Sequence, residues 1–393
     1  MHVRYLLVMA VVLLYPTYAS AMVGSTRQAA AVALLQERIA GTYVVKLRDD
    51  ISASRFLAET QALNRNAQNV QYTYDRGSFQ GFSSKLTVEE VQRLRRDSRV
   101  ESVEPQMVMQ VAGEQVNPPN WGLTRISQRA LDLTKPYVYP DTAGEGVDVW
   151  VIDTGIQTNH TDFEGRAIFA KSFIADEAET DLHGHGTHVA GTVASKTYGV
   201  AKKARVFGVK ALNAQGLGTN ADVIASIQYV VQNGRPGKTV VNMSLGGDKS
   251  AIVDAAVSAA VDAGIAFIVA AGNESVDACD GSPSGNSKAF AVAASDRTDT
   301  QATFSNYGMC VKAYAPGVAI NSLWVGQNNL ARSISGTSMA SPHVAGVAAL
   351  YLAAGNINSV ERLYKALVDS ATPGAAKGSS PNTPNRLIYS LPS

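Results

Sequence analysis

Residues 336–343 are Gly-Thr-Ser-Met-Ala-Ser-Pro-His, and small or apolar side chains recur at helical spacing from there to Leu352. A helix tolerates proline only in its first turn, so Pro342 indicates that a helix begins just before it. We therefore expect Ser338 at the N-terminus of a helix, where free N–H groups and the helix dipole favour negative charge. Such a serine is either a simple cap or a nucleophile whose own N–H helps to hold an oxyanion.

A nucleophilic serine needs a base and a third group that orients the base. Residues 146–155, Gly-Val-Asp-Val-Trp-Val-Ile-Asp-Thr-Gly, predict a strand with Asp153 at its C-terminal end. Catalytic groups gather at that end of the strands in open α/β sheets. Residues 183–188, His-Gly-His-Gly-Thr-His, stand before a second helix of small residues. The chain thus offers an acid, a histidine and a serine, in that order.

Three motifs carry a specific resemblance: VIDTG at 151–155, HGHGTHVAGT at 183–192 and GTSMASPH at 336–343. They resemble those of the subtilisin-like serine proteases (peptidase S8 family), most closely the proteinase K-like branch, and acid, histidine, serine is the order known for subtilisin. The resemblance implies that Asp153 orients the imidazole, His185 is the general base and Ser338 attacks the peptide carbonyl. It also implies that Asn273 donates into the oxyanion hole beside Ser338, whereas the bland alternative is a turn asparagine.

The resemblance also implies how substrate binds. Residues 215–218 match the edge that pairs with an extended peptide through backbone hydrogen bonds, and two further segments match the walls of the primary specificity pocket. We expect broad endopeptidase activity with an apolar or aromatic preference before the cut. The expected substrate-binding residues are Gly216, Leu217, Gly218, Ser244, Leu245, Gly246, Ala270, Ala271 and Gly272.

Other chemistries fit the sequence less well. Glycines interrupt the histidine cluster, and it lacks the glutamate and the i, i+4 histidine pair of zincin sites, so we expect no catalytic metal or cofactor. Structural calcium is possible at an unknown site, although Ala319 offers no ligand oxygen where many relatives have an aspartate. The order of the triad disfavours an α/β-hydrolase esterase. A catalytically silent binding relative is the remaining alternative, and the role of His183 is open.

Composition bounds the location and the partners. The chain has 393 residues, of which 46% are hydrophobic, as in a globular protein with a large core. Its net charge of +1 gives no support for nucleic-acid binding. His2 and Arg4 precede an apolar run that ends in small residues, as in a secretory signal. We therefore expect a secreted, extracellular monomer with no membrane segment in its mature form. By resemblance to bacterial relatives Cys279 and Cys310 form a disulfide, the alternative being two free thiols.

The segment from residue 22 onward predicts strands and helices in a βαββαβ-like order, including a capping box at Thr87-Val88-Glu89-Glu90. This order resembles the inhibitor I9-type propeptide of subtilisins, which acts as a folding template and an intramolecular inhibitor. The chain is thus expected to be a zymogen that cuts itself, although a small α/β domain kept for good is the alternative.

Alternating strands and helices from Trp121 to the end predict an α/β fold with a doubly wound, mostly parallel sheet and helices on both faces. A small α+β ferredoxin-like propeptide domain precedes it. The expected boundaries are 1–21 for the signal peptide, 22–113 for the propeptide and 114–393 for the catalytic domain. Protein and peptide substrates, and the propeptide itself, are the expected partners.

Overall fold

The computed structural model describes residues 40–48, 50–60, 69–75, 80–106, 112–326, 330–355 and 357–391. They form two compact units that divide between Gln110 and Val111. The predicted signal peptide, residues 1–21, lies outside the described residues. Within the described part of the chain, no helix is long and apolar enough to cross a membrane.

Over its described residues, the first unit is a four-stranded antiparallel sheet with two helices. Its elements are β1 (Thr42–Leu47), α1 (Ala53–Glu59), β2 (Val70–Tyr74), β3 (Gln80–Lys85), α2 (Val88–Leu94) and β4 (Val100–Pro105). The strand order β2-β3-β1-β4 is that of the predicted βαββαβ unit. The capping box of α2 is confirmed, because Thr87 N donates to Glu90 Oε2 at 2.7 Å and Glu90 N donates to Thr87 Oγ1 at 3.3 Å.

Two details of this unit differ from the sequence prediction. The sequence predicts an amphipathic helix over residues 52–66, but α1 ends at Glu59 because Thr60 has an extended backbone; residues 61–68 lie outside the described part. The predicted βαββαβ order includes a strand at the position of β2, but the sequence did not indicate which residues form it. It is an edge strand whose central side chains are exposed, so it lacks the buried alternation that marks a strand in the sequence.

The second unit is built on a nine-stranded sheet, counted over the described residues, in which only β18 runs antiparallel to its neighbour. The strand order is β18-β19-β15-β14-β12-β10-β7-β9-β8. In chain order the elements are β5 (Ala112–Gln115), α3 (Trp121–Ile126), β6 (Tyr137–Pro140), β7 (Asp148–Asp153), β8 (Ala167–Ser172), α4 (His185–Ala194), β9 (Arg205–Lys210), α5 (Asn220–Asn233), β10 (Thr239–Met243), β11 (Gly247–Asp248), α6 (Ala251–Asp262), β12 (Ala266–Ala270), β13 (Gly281–Ser282), β14 (Phe290–Ser295), β15 (Val311–Pro316), β16 (Ile320–Leu323), β17 (Ala331–Ile334), α7 (Thr337–Ala353), α8 (Val360–Ser370), β18 (Thr372–Pro373) and β19 (Arg386–Leu387).

The central strands are buried on both faces, as a doubly wound sheet requires. Along β7, Val149 and Val151 pack with α4 and α7, whereas Trp150 and Ile152 pack with α5 and α6. Successive side chains along a strand therefore belong to two separate hydrophobic cores, one on each face of the sheet. The predicted fold class is confirmed. The strand predicted to end at Asp153 does end there, and the helix predicted to run to Leu352 ends at Ala353.

Helix α3 is held to the rest of the second unit by a buried ion pair. Arg125 Nε and Nη2 donate to the two carboxylate oxygens of Asp299 at 2.6 and 3.1 Å, and both side chains are almost completely buried. Removing one partner of such a pair leaves an uncompensated buried charge.

We expect Arg125→Leu to lower the free energy of unfolding by about 3 to 5 kcal/mol, because Asp299 then remains buried without its cation. Urea unfolding of the mature enzyme, inhibited to prevent self-digestion, measures this change. Lys288→Leu is the matched control, since its ion pair with Asp262 is exposed and should contribute little. Equal losses in the two variants would show that burial of the Arg125 pair makes no difference.

The expected disulfide is present. Cys279 and Cys310 are bonded, with their Cα atoms 5.3 Å apart, and the described residues contain no free cysteine. The bridge closes a loop over a sequence separation of 31 residues.

We expect the double variant Cys279→Ser/Cys310→Ser to lose about 3 to 4 kcal/mol of stability, because its unfolded chain regains the entropy of a loop of this length. The melting temperature of inhibited mature enzyme measures the loss. Wild type under reducing conditions should lose the same amount, and a reducing agent should leave the double variant unchanged. An unaltered melting temperature in the double variant would refute the prediction.

Candidate active site

Asp153 and His185 are joined by a hydrogen bond. Asp153 ends strand β7 and is completely buried, while His185 is the first residue of α4 and keeps about a fifth of its side chain exposed. His185 Nδ1 lies 2.8 Å from Asp153 Oδ1, which also accepts the N–H of Thr154 at 2.7 Å. A carboxylate can only accept, so Nδ1 carries the proton and Nε2 is left as the basic nitrogen.

The buried Asp153 carboxylate changes the pKa of His185. Burial alone lowers the pKa of His185, but the charge of Asp153 and its hydrogen bond outweigh burial and raise the pKa above its usual value, with a smaller contribution from Asp181. The imidazole is therefore a stronger base than one buried without a carboxylate. Such perturbed groups in a cleft mark functional sites.

Asp181 was missed by the sequence analysis and organises the approach to α4. Its Oδ1 accepts the N–H groups of His183 and Gly184 at 2.9 and 2.8 Å, and Oδ2 accepts the N–H of Thr187 at 2.9 Å. It therefore caps the helix that begins at His185. The sequence does place an aspartate shortly before a predicted helix. Asp181 is six positions before Thr187, however, which is longer than the usual capping spacing.

Two neighbours fix the backbone on which His185 sits. Gly184 has φ +106°, and a Cβ on it would lie 2.5 Å from the indole of Trp324, so only glycine fits this approach. His183 is exposed, and its Nδ1 accepts the N–H of His185 at 3.3 Å.

His188, one turn further along α4, is buried with its Nε2 beside two carbonyl oxygens, and burial lowers its pKa to about 3.

Ser338 lies in the first turn of α7, as expected, and its side chain is only partly buried. Its hydroxyl donates to the carbonyl oxygen of Ser244 at 3.2 Å, and Ser244 Oγ donates back to the Ser338 carbonyl at 2.8 Å. Within the described residues the structure thus links Ser338 to the wall of a cleft that His185 also lines, with the hydroxyl turned toward Ser244.

Asn273 lies beside the same helix start. Its Oδ1 accepts the N–H and the hydroxyl of Thr337 at 2.8 and 3.0 Å. Because a backbone N–H can only donate, the facing atom must be the amide oxygen, and the Nδ2 donors point elsewhere. The Asn273 amide also lies close to Gly336: a Cβ atom added to Gly336 would be 3.8 Å from Asn273 Nδ2.

A cleft of about 700 Å³ is lined by His183, His185 and Thr154. Six expected substrate-binding residues also line it: Gly216, Leu217, Gly218, Ser244, Leu245 and Gly246. The other three, Ala270, Ala271 and Gly272, are described but lie outside this lining, where β12 ends. The apolar side chains of Leu212, Val223 and Val253 form part of the wall.

No group of three or more His, Cys, Asp or Glu side chains in the described ranges is arranged to hold a metal ion. Ala319, the position discussed for calcium, has a left-handed backbone and its N–H donates to Ser335 Oγ at 2.9 Å. Its methyl group offers no oxygen to a cation.

Comparison with known proteins identifies the family. The model of the subtilase family, peptidase S8, matches residues 144–387, which is more than half of the chain. This chain belongs to the subtilase family. The model of the peptidase inhibitor I9 family matches residues 42–112. The resemblance stated from the three motifs is therefore confirmed, and this subtilase is a serine endopeptidase with an inhibitory propeptide.

Individual relatives agree with this assignment. The cuticle-degrading protease of Metarhizium anisopliae is 44% identical over 358 residues, which cover 89% of this chain and 90% of the relative. The subtilisin-like proteinase Spm1 of Pyricularia oryzae is 40% identical, covering 84% of this chain and 68% of the relative. Among solved structures, a cold adapted subtilisin-like serine proteinase matches with a TM-score of 0.67 and 42% identity, over 70% of this subtilase and 98% of that chain.

Proposed function

We propose that this subtilase hydrolyses peptide bonds through Asp153, His185 and Ser338, with an acyl-enzyme intermediate. The observation that carries the proposal is the 2.8 Å contact between the buried Asp153 carboxylate and His185 Nδ1, beside a cleft lined by His185 and by Ser244, whose carbonyl oxygen accepts the Ser338 hydroxyl. His185 Nε2 takes the Ser338 proton as Oγ attacks the carbonyl carbon, and later gives that proton to the leaving amine. For this step the Ser338 hydroxyl rotates from Ser244 toward Nε2.

The developing oxyanion is held by the N–H of Ser338 and by Asn273 Nδ2. Gly336 provides no side-chain cap for the start of α7, and the Asn273 oxygen caps only Thr337. The N–H of Ser338 thus remains at the positive end of a long buried helix. Thr337 holds the Asn273 oxygen and so orients the amide, whose N–H groups then stabilise the negative charge.

Substrate binds as an extended chain along residues 216–218. The N–H of Leu217 donates to Asn213 Oδ1 at 3.0 Å and its carbonyl accepts the N–H of Asn213 at 2.8 Å, so both backbone groups are used inside their own turn. The carbonyl of Gly216 and the N–H of Gly218, on either side of Leu217, are the groups that pair with the peptide. The apolar walls favour an apolar or aromatic side chain before the cut.

The protein is secreted as a monomeric zymogen that removes its own propeptide near residues 111–115. The signal-like N-terminus supports secretion, and the I9 match supports an inhibitory segment that ends close to that position. The domain boundaries 1–21, 22–113 and 114–393 belong to this proposal.

Covalent labelling tests the proposal. A peptidyl phosphonate with an apolar residue before the reactive group should label the mature enzyme once, with the mass increase on the tryptic peptide that contains Ser338. Ser338→Ala should not be labelled, whereas Ser341→Ala, on the same helix, should. A label elsewhere, or undiminished labelling of Ser338→Ala, would sink the proposed nucleophile.

A further inference from the structure

The turn that carries Asn273 is tied to a buried asparagine, Asn306. The Asn306 amide nitrogen donates to the carbonyl of Ala271 at 3.1 Å and to Glu274 Oε2 at 2.8 Å. Its amide oxygen accepts the N–H groups of Glu274 and Val276 at 3.0 and 3.1 Å. An amide side chain has two donors and two acceptor sites, so every one of them is used on this turn.

The backbone of Asn306 adds a further link, since its N–H donates to the carbonyl of Gly272 at 3.0 Å. Gly272 has φ +105°, and a Cβ on it would lie 2.2 Å from Asn306 Nδ2, so the contact requires glycine. Glu274 Oε2 accepts the hydrogen bond from the Asn306 amide nitrogen and also accepts the N–H of Asn273 at 2.8 Å.

Asn273 is consequently fixed from two directions. Thr337 holds the oxygen of its side chain, and the pair Asn306 and Glu274 holds the backbone on either side of it. The direction of Asn273 Nδ2 follows from these restraints. No polar group of the Asn306 side chain is left for substrate.

We propose that Asn306, acting with the Glu274 carboxylate, is a positioning residue for the oxyanion donor Asn273, an inference that rests on the proposed role of Asn273. An oxyanion donor must lie about 2.7 to 3.1 Å from the developing charge, and a displacement of about 1 Å can cost roughly 100-fold in rate. Only an amide of this length fills the position. An aspartate at position 306 would have no donor for the carbonyl of Ala271, and its carboxylate would face that of Glu274. A leucine there would leave the backbone groups of the turn without hydrogen-bond partners.

Kinetics of the mature enzyme with a peptide ester, after active-site titration, provide the test. Asn306→Asp should lower kcat by about 10- to 100-fold with KM within about twofold, because the donor serves the transition state more than the ground state. Adding Glu274→Gln should restore part of the loss, since glutamine can donate to the introduced carboxylate and still accept from Asn273. Asn385→Asp is the matched control, because Asn385 ties the backbone of Ala376 in the C-terminal loop and should leave kcat unchanged.

A double-mutant cycle separates positioning from general stability. In an Asn273→Ala background, Asn306→Asp should cost less than about twofold, because the group that it positions is gone. The same fold-loss in both backgrounds, or no gain from Glu274→Gln, would overturn the inference. Full kcat in Asn273→Ala alone would instead remove the proposed oxyanion role of Asn273, and with it this inference, whatever Asn306→Asp does.

Discussion

Ser338→Ala should reduce kcat by about 10⁶-fold, the loss measured when the nucleophile of subtilisin itself is removed. The substitution deletes the only atom that forms the proposed acyl-enzyme bond, while α7 and the hydrogen bond from Ser244 Oγ to the Ser338 carbonyl remain. Residual hydrolysis then comes from the oxyanion hole and substrate binding alone. Initial rates with a chromogenic peptide measure the change.

The same variant should accumulate as an uncleaved precursor that begins near residue 22, because self-processing needs the same nucleophile. Intact mass and N-terminal sequencing of secreted material report the outcome. Ser341→Ala is the control, since Ser341 is buried one turn further along and its hydroxyl bonds to Asn242 Oδ1 at 2.8 Å. Mature N-termini in Ser338→Ala, in a host without other proteases, would contradict self-processing.

Asp153→Asn should reduce kcat by about 10⁴-fold, the loss known for this exchange in serine proteases with such a triad. An asparagine amide can donate to His185 Nδ1, which moves the imidazole proton to Nε2 and removes the base. The pH profile should change as well. His185 must be neutral to act, so activity is lost as pH falls through its pKa. Without the Asp153 charge that pKa falls, and the acid limb should move to lower pH.

Asp148→Asn is the control for Asp153→Asn. Asp148 is also a buried aspartate of β7, but it begins the strand and pairs with Arg205 and Arg235. Its substitution should lower stability without moving the acid limb. An acid limb that stays in place in Asp153→Asn, or moves equally in Asp148→Asn, would argue against the assigned role of Asp153.

The sequence predicted the parts of the site that depend on local pattern. Asp153 could be placed at the end of a strand, and Ser338 at the start of a helix, because apolar periodicity and Pro342 mark those positions. The contact between Asp153 and His185 joins residues 32 apart, and only the family resemblance anticipated it. Its distance, and the raised pKa of His185, follow from the packing of α4 on the sheet.

The supporting residues could not be predicted in the same way. Asp181 precedes a predicted helix but not at the usual capping spacing, and Asn306 acts on the backbone of a turn about 30 residues away, where no pattern in the sequence marks it. The link between Ser338 and Ser244 spans 94 residues and depends on how α7 meets β10. The residues of strand β2 could not be located for a different reason, since an exposed edge strand needs no apolar alternation.

A crystal structure of the mature enzyme with a peptide aldehyde would reveal whether one tetrahedral centre brings the proposed catalytic groups together. We expect an adduct on Ser338 Oγ, with its oxyanion about 2.7 to 3.1 Å from Asn273 Nδ2 and from the Ser338 N–H. His185 Nε2 should then lie about 2.6 to 3.2 Å from Ser338 Oγ while Nδ1 keeps its bond to Asp153. An adduct on another residue, or an imidazole that stays out of reach of Ser338, would refute the proposed triad.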